Sequence, residues 1–218
     1  LDGQMDNLQE NLFGEILYKN LPLTNSEKHI KVRNAQKEYI DTHHHPKEKI
    51  KQLDNLKSYL KGEILEVFAG EGNLTKYYEN LGNVTAMTKD TYGSSFDAIY
   101  KLRADKKTYN VIDIDSYGYP SKFFPVIFEM LKDNSFLIFT FPVIGVQCVN
   151  GIVEQNFVNF WGNTRPTIGD VVGKVTDFSL RDWRLASLIS VVKIKPIWRF
   201  AFLINKVKAN EFCNVRNR

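Results

Sequence analysis

The 218-residue sequence predicts an α/β fold, a mainly parallel sheet with helices on both faces, preceded by a small helical extension. Three observations carry that expectation. From Glu63 onward, short apolar runs alternate with amphipathic stretches at the spacing of strand–helix–strand units. The first of these runs passes directly into a glycine turn and then into a helical pattern. A composition of 43% hydrophobic and 25% charged residues suffices for one large core and excludes wholesale disorder or a fibrous repeat.

In chain order, residues 5–20 and 26–41 read as short polar helices separated by Leu21-Pro22-Leu23. Pro46 suits the first turn of a helix reaching Leu60, with Ile50, Leu53, Leu56 and Leu60 near helical spacing and Gly62 just beyond its end. Strands are expected over 63–68, 84–88, 109–114 and 135–141, with helices over 73–81, 93–103 and 120–132. After an irregular stretch from Pro142 to Val175, Ser179 precedes an expected helix through Ile189, and 191–194 and 198–207 read as two closing strands. The expected organisation is a helical extension over 1–61, a sheet-containing core over 62–210 and a basic tail over 211–218.

The net charge of +4 conceals a segregation. Residues 28–61 hold nine basic and four acidic side chains, and 181–218 hold nine basic and two acidic, while the segments between and before are net acidic. Lys28, Lys31, Arg33, Lys37, Lys47, Lys49, Lys51, Lys57 and Lys61 are suited to phosphates, or alternatively form solvated helix faces. The longest apolar stretch, 135–146, is interrupted by Pro142 and Gly145 and is shorter than the roughly 20 residues of a bilayer span, so no membrane partner is expected. The first residues lack a basic segment followed by an apolar run. Cys148 and Cys213, far apart and without metal-ligand partners, predict neither a disulfide nor a zinc site, and a cytoplasmic setting follows as the simpler expectation. His43, His44 and His45 read as a solvated loop rather than a metal site, so no metal is expected.

The central motif is Glu66-Val-Phe68-Ala69-Gly70-Glu71-Gly72-Asn73-Leu-Thr75, where Gly70 and Gly72 allow close backbone approach and Glu66 ends the strand. About 20 residues further on, Asp90 follows the second strand, where a carboxylate meets ribose hydroxyls in nucleotide-binding α/β folds. Asp97 suits either an adenine amino group or a helix start. The third strand gives Val111-Ile-Asp113-Ile-Asp115-Ser116-Tyr117-Gly118-Tyr119-Pro120, and strand alternation puts Asp113 and Asp115 on one face with Ile114 on the other. Asp115 reads as an acceptor-binding carboxylate or as a helix cap, and Tyr117 as a stacking or a packed aromatic.

With its acidic residue followed by a Gly-x-Gly turn, the chain over roughly 63–207 resembles the class I S-adenosylmethionine-dependent methyltransferases. The resemblance implies a Rossmann-like sheet in a seven-strand order and S-adenosylmethionine as cofactor. It further implies that Glu66, Phe68, Ala69, Gly70 and Gly72 surround the cofactor's methionine part, Asp90 its ribose and Asp97 its adenine. The segment from Val111 to Pro120 resembles that of the tRNA guanine-N2 methyltransferase family, with Ser116 in place of that family's proline. Thr75 stands where a nicotinamide-binding turn has its third glycine.

The expected activity is therefore methyl transfer to nucleic acid, to an RNA base nitrogen in preference to DNA, with Asp115 and Tyr117 as catalytic candidates and the basic flanks holding phosphates. Phe157, Phe160, Trp161 and Arg165 suit either a base-stacking rim or core packing. The alternatives are a protein or small-molecule acceptor, or an inactive nucleic-acid-binding module on the same scaffold.

Overall fold

The computed structural model describes residues 45–92, 94–116, 119–142, 148–149, 152–153, 155–162, 164–194 and 197–207. They belong to two compact units, one of residues 46–143 and 166–218, the other of residues 1–45 and 144–165. The two expected helices before residue 44, Lys28, Lys31, Arg33, Lys37, His43, His44, Tyr117, Gly118, Cys213 and the tail 211–218 lie outside the described residues.

The larger unit opens with helix α1 (Pro46–Leu56), followed by strand β1 (Gly62–Val67), helix α2 (Asn73–Tyr78) and strand β2 (Gly82–Met87). Helices α3 (Lys89–Tyr92) and α4 (Ser95–Ala104) lead to β3 (Tyr109–Ile114), and a 3₁₀ turn (Pro120–Phe123) with α5 (Phe124–Ile127) leads to β4 (Leu131–Pro142). The smaller unit holds the two-residue strands β5 (Cys148–Val149) and β6 (Ile152–Val153), paired antiparallel, and helix α6 (Gln155–Trp161). In α6, Phe157 and Trp161 are buried and Phe160 is half-buried with its ring edge-on to Trp161. The larger unit then closes with α7 (Ile168–Arg181), β7 (Arg184–Ile194) and β8 (Ile197–Lys206).

The main sheet has the order β2-β1-β3-β4-β8-β7. β2, β1, β3 and β4 run parallel, and β8 is antiparallel to both β4 and β7. The expected parallel set and closing pair are thus present, in a sheet that has six strands among the described residues. One face carries Ile64, Val111, Phe136, Ile138 and Ala201, packed with Leu53, Leu56 and Leu60 from α1 and its following turn and with Leu74 and Tyr78 from α2. On the other face, Phe139, Phe200 and Phe202 stack, and Phe124 packs edge-on against both Phe139 and Phe178 of α7.

The structure corrects the expected helix through Ile189. Residues 184–194 form β7, and the helix lies earlier, at Ile168–Arg181. The β7–β8 register shifts between Leu188 and Ser190, and this bulge breaks the two-residue alternation so that Leu185, Leu188 and Ile189 imitate helical spacing. The true helix start is marked by a capping box, in which Asp170 N–H donates to the Thr167 hydroxyl while the Asp170 carboxylate accepts from Thr167 N–H at 2.7 Å. Gly169 and Gly173 weaken the helical pattern, but Val171, Val175 and Ser179 are buried at helical spacing. The expected helix over 120–132 is shorter, because β4 already begins at Leu131. Among the described residues, no helix is long and apolar enough to cross a membrane.

Candidate functional site

On the α1 side of the sheet, one face changes character along its strands. Its amino-terminal part is apolar, and toward the carboxyl ends of the parallel strands it carries Glu66, Asp113, Asp115, Thr140 and Arg199. Register explains the grouping. Glu66 is the β3-facing partner of Asp113, Asp113 aligns with Ile138 two residues before Thr140, and Thr140 pairs with Arg199. Carboxyl ends of parallel strands are where open α/β sheets bind ligands.

The turn after β1 is built from left-handed residues. Phe68 has φ 68°, Gly70 54° and Gly72 77°, so a non-glycine residue takes up strain just ahead of two positions that favour glycine. Ala69 N–H donates to Met87 O at 2.9 Å and Gly72 N–H to Ala69 O at 2.8 Å, which fixes the turn against the end of β2. Gly70 is exposed, and among the described residues the one atom within 4 Å of a Cβ built there, its chain neighbours aside, is Phe68 O at 3.9 Å. The space over Gly70 is therefore open among the described residues. Phe68 packs edge-on to Phe123, Phe96 lies 6.3 Å from Phe123, and the Lys122 ammonium sits over the Phe123 ring at 5.0 Å.

Glu66 is buried at the foot of this turn and accepts a 2.6 Å hydrogen bond from the Thr75 hydroxyl. Burial pushes its carboxyl up to about 8, the Thr75 bond opposes the shift, and the charges of Asp113 and Asp115 add to it. Thr75, noticed in the sequence as the replacement of a glycine, is thus a partner of the turn's carboxyl. Asp90 lies in α3, directly after β2, with its side chain outside the described residues. Asp97 is exposed in the first turn of α4, where its N–H donates to the Ser94 hydroxyl at 3.4 Å.

Beyond β3 the charges pair. Arg199, fully buried, donates to the fully buried Asp113 carboxylate and, at 3.2 Å, to the Thr140 hydroxyl. Tyr78 donates to the same Asp113 oxygen at 2.6 Å. Burial works against the Arg199 charge, but Asp113 and Asp115 outweigh it and hold the guanidinium above its ordinary pKa. Asp113 Oδ1 and Arg199 Nε are buried without a hydrogen-bond partner among the described residues.

Asp115 shares the face of Asp113, as strand alternation predicts, and its side chain is 15% exposed. Lys49 of α1 donates to Oδ1 at 2.8 Å and to Oδ2 at 2.6 Å, and Thr140 donates to Oδ1 at 2.6 Å. Burial opposes the Asp115 charge, yet Lys49 and Arg199 outweigh it and hold this carboxyl below the ordinary carboxylate range. Two acids on one face are thereby driven apart, Glu66 upward and Asp115 downward.

Lys49, Arg199 and Tyr78 were not singled out by the sequence as site residues. Lys49 was grouped with the phosphate-binding cations, but it is buried and salt-bridged; Lys47, Lys51, Lys57 and Lys61 are exposed. A signal for Lys49 existed, because Lys49, Leu53 and Leu56 lie on one helical stripe. Arg199 likewise stood alone among apolar residues in Trp198-Arg-Phe-Ala-Phe-Leu-Ile204, which signals a buried partner. Among the described residues no group of three or more His, Cys, Asp or Glu is arranged to hold a metal ion.

Among solved structures, the chain is similar to Trm1 from Pyrococcus horikoshii, determined in complex with S-adenosyl-L-methionine. The TM-score is 0.57 at 11% identity, over 75% of this chain and 55% of that one. The fold is the Rossmann-like fold of class I methyltransferases. The chain spans only about half the length of that Trm1. A S-adenosylmethionine-dependent methyltransferase from Clostridium acetobutylicum matches with a TM-score of 0.44 at 12% identity, over 83% of this chain and all of that one. Trm5b from Pyrococcus abyssi matches with a TM-score of 0.43 at 8% identity, over 72% of this chain and 48% of that one. No protein-family model and no curated protein matches the chain.

Proposed function

We propose that the protein is a S-adenosylmethionine-dependent methyltransferase acting on nucleic acid, at a base nitrogen of RNA in preference to DNA. The observation that carries this reading is the salt-bridged Asp115 at the carboxyl edge of the sheet, at the end of the strand that pairs with β1 ahead of the open Gly70 turn. The cofactor supplies an electrophilic methyl group when bound. Phe68, Ala69, Gly70 and Gly72 bring backbone close to it, Glu66 lies beneath the turn, and Asp90 and Asp97 are assigned to its ribose and adenine. The chain's task is then to hold the acceptor nitrogen in line with the methyl group and to stabilise the charge that develops on it.

Asp115 serves that task as a hydrogen-bond acceptor for an exocyclic amine. A carboxylate offers about four lone-pair positions. The bonds from Lys49 and Thr140 occupy Oδ1 twice and Oδ2 once, so Oδ2 retains capacity for a further donor. Tyr117 is assigned to stacking on the acceptor ring. The exposed Lys47, Lys51, Lys57 and Lys61 support phosphate contact, whereas Lys49, Arg184 and Arg199 are buried and do not contribute to it.

Calorimetry with S-adenosylmethionine, followed by radiolabelled methyl transfer to mixed RNA and DNA, tests the proposal. Saturable cofactor binding with transfer to RNA supports it, and no cofactor binding overturns it. The second reading is a nucleic-acid-binding module without turnover, favoured by the Lys49 bonds to both oxygens of Asp115. Cofactor binding without transfer to either nucleic acid selects that reading.

A further inference from the structure

We infer that Lys49 is a positioning residue of the site, delivered by α1 to keep Asp115 ionised and oriented as a hydrogen-bond acceptor. The inference rests on the reading of Asp115 as the group that meets the acceptor nitrogen.

The geometry of α1 is the first support. Lys49, Gln52, Leu53 and Leu56 form its buried face. One turn after Lys49, Gln52 Nε2 donates to Ser190 Oγ and to Arg199 O, both at 3.1 Å, and Leu53 and Leu56 lie in the core beneath. A lysine stem carries large rotational freedom, and its head holds a fixed place only where its base and its partner are both held. Here the base is held by the Gln52 bonds and the partner by Thr140 at 2.6 Å. The Lys49 side chain is itself only 4% exposed.

Charge is the second support. Asp115 is surrounded by ionisable groups from every element packed against it. Lys49 comes from α1, Glu66 from β1, Asp113 from β3 and Arg199 from β8, and Tyr78 of α2 reaches the same group through Asp113. Arg199 is shared, since it pairs closely with Asp113 and its Nη1 lies 3.8 Å from Asp115 Oδ1. Among the described residues, Lys49 is therefore the cation committed to Asp115. Without it, a largely buried carboxylate beside a second carboxylate takes up a proton more readily, and a protonated carboxyl presents a donor where an amine needs an acceptor.

The test compares Lys49→Met and Lys49→Arg with the unaltered chain. The carboxyl titration of Asp115 is followed by carbon NMR, and the pH dependence of kcat is measured with S-adenosylmethionine and a pool of unmodified RNA transcripts. In Lys49→Met the Asp115 titration and the acid limb of kcat are both expected to move up by about one to three pH units, and Lys49→Arg is expected to restore them. Should Lys49→Met fail to fold, Lys49→Gln, which keeps a donor but not the charge, takes its place. An unmoved Asp115 titration overturns the inference, as does a moved titration with an unmoved kcat profile, which makes Lys49 merely structural. A chain that binds no S-adenosylmethionine overturns the functional reading and with it the acceptor role. The carboxyl titration separates that failure from a failure of the Lys49–Asp115 pair.

Discussion

Glu66 and Asp113 are register partners on adjacent parallel strands, yet the first is held by a hydroxyl and the second is buried against a guanidinium. Burial raises both carboxyls above the ordinary range, but the two groups one strand apart respond differently to mutation of their partners.

For Glu66 the sign is set by burial. Its native pKa of about 8 exceeds its ordinary value of 4.5, so the folded chain retains a proton that the unfolded chain releases. This group's contribution to stability is therefore fully present below pH 4.5, falls as pH rises toward 8 and is lost above it. Glu66→Gln removes the dependence and still offers an oxygen to Thr75. Denaturant unfolding is expected to find the variant more stable than the parent at pH 9, with little difference near pH 4.

Removal of Arg199 leaves Asp113 buried without its counter-charge. Arg199→Met is expected to cost about 3–5 kcal/mol in denaturant unfolding, and Arg199→Met with Asp113→Asn to recover most of it, since an uncompensated buried charge costs more than a neutral pair. Equal losses in the single and double variants contradict this account.

The turn and the carboxylate are expected to separate kinetically. Gly70→Val places a β-branched residue at φ 54° and is expected to cost about 1–2 kcal/mol of stability while obstructing cofactor entry. Asp115→Asn keeps its shape and is expected to spare cofactor affinity while lowering turnover about a hundredfold or more. Calorimetry and single-turnover methyl transfer measure the two, and parallel losses in both quantities for both variants contradict the assigned roles.

Binding of single-stranded RNA is expected to weaken with salt, log affinity against log salt having a slope of about −0.7 per phosphate neutralised. Lys51→Ala and Lys57→Ala, both at exposed positions, are each expected to flatten that slope by about 0.7 if they hold one phosphate apiece. A salt-independent affinity rules out phosphate attraction.

Much of this molecule is legible along the chain because its signals are local. The strand from Gly62, the turn at Gly70 and Gly72 and the shared face of Asp113 and Asp115 follow from residues close in sequence. The pairings that give those residues their chemistry are remote. Lys49 lies 66 residues from Asp115, Tyr78 lies 35 from Asp113, and Arg199 lies 86 from Asp113. Helical periodicity places Lys49 on a buried stripe but does not name its partner, and an arginine in an apolar strand announces a counter-charge without locating it. The misread segment after Arg181 has a local cause, because a single bulge at Ile189 erases the alternation that identifies a strand.

The place of β8 between β4 and β7 ties the sheet and the buried charges to one strand. Its inner edge pairs with β4 from Ser135 to Pro142, and its Arg199 neutralises a charge laid down 86 residues earlier. A nascent chain that has emerged only as far as β7 has an open sheet margin and an interior carboxylate facing no cation. Closure of this interior thus awaits β8, and a truncation before Ile197 removes the partner of β4 together with the cation that faces Asp113.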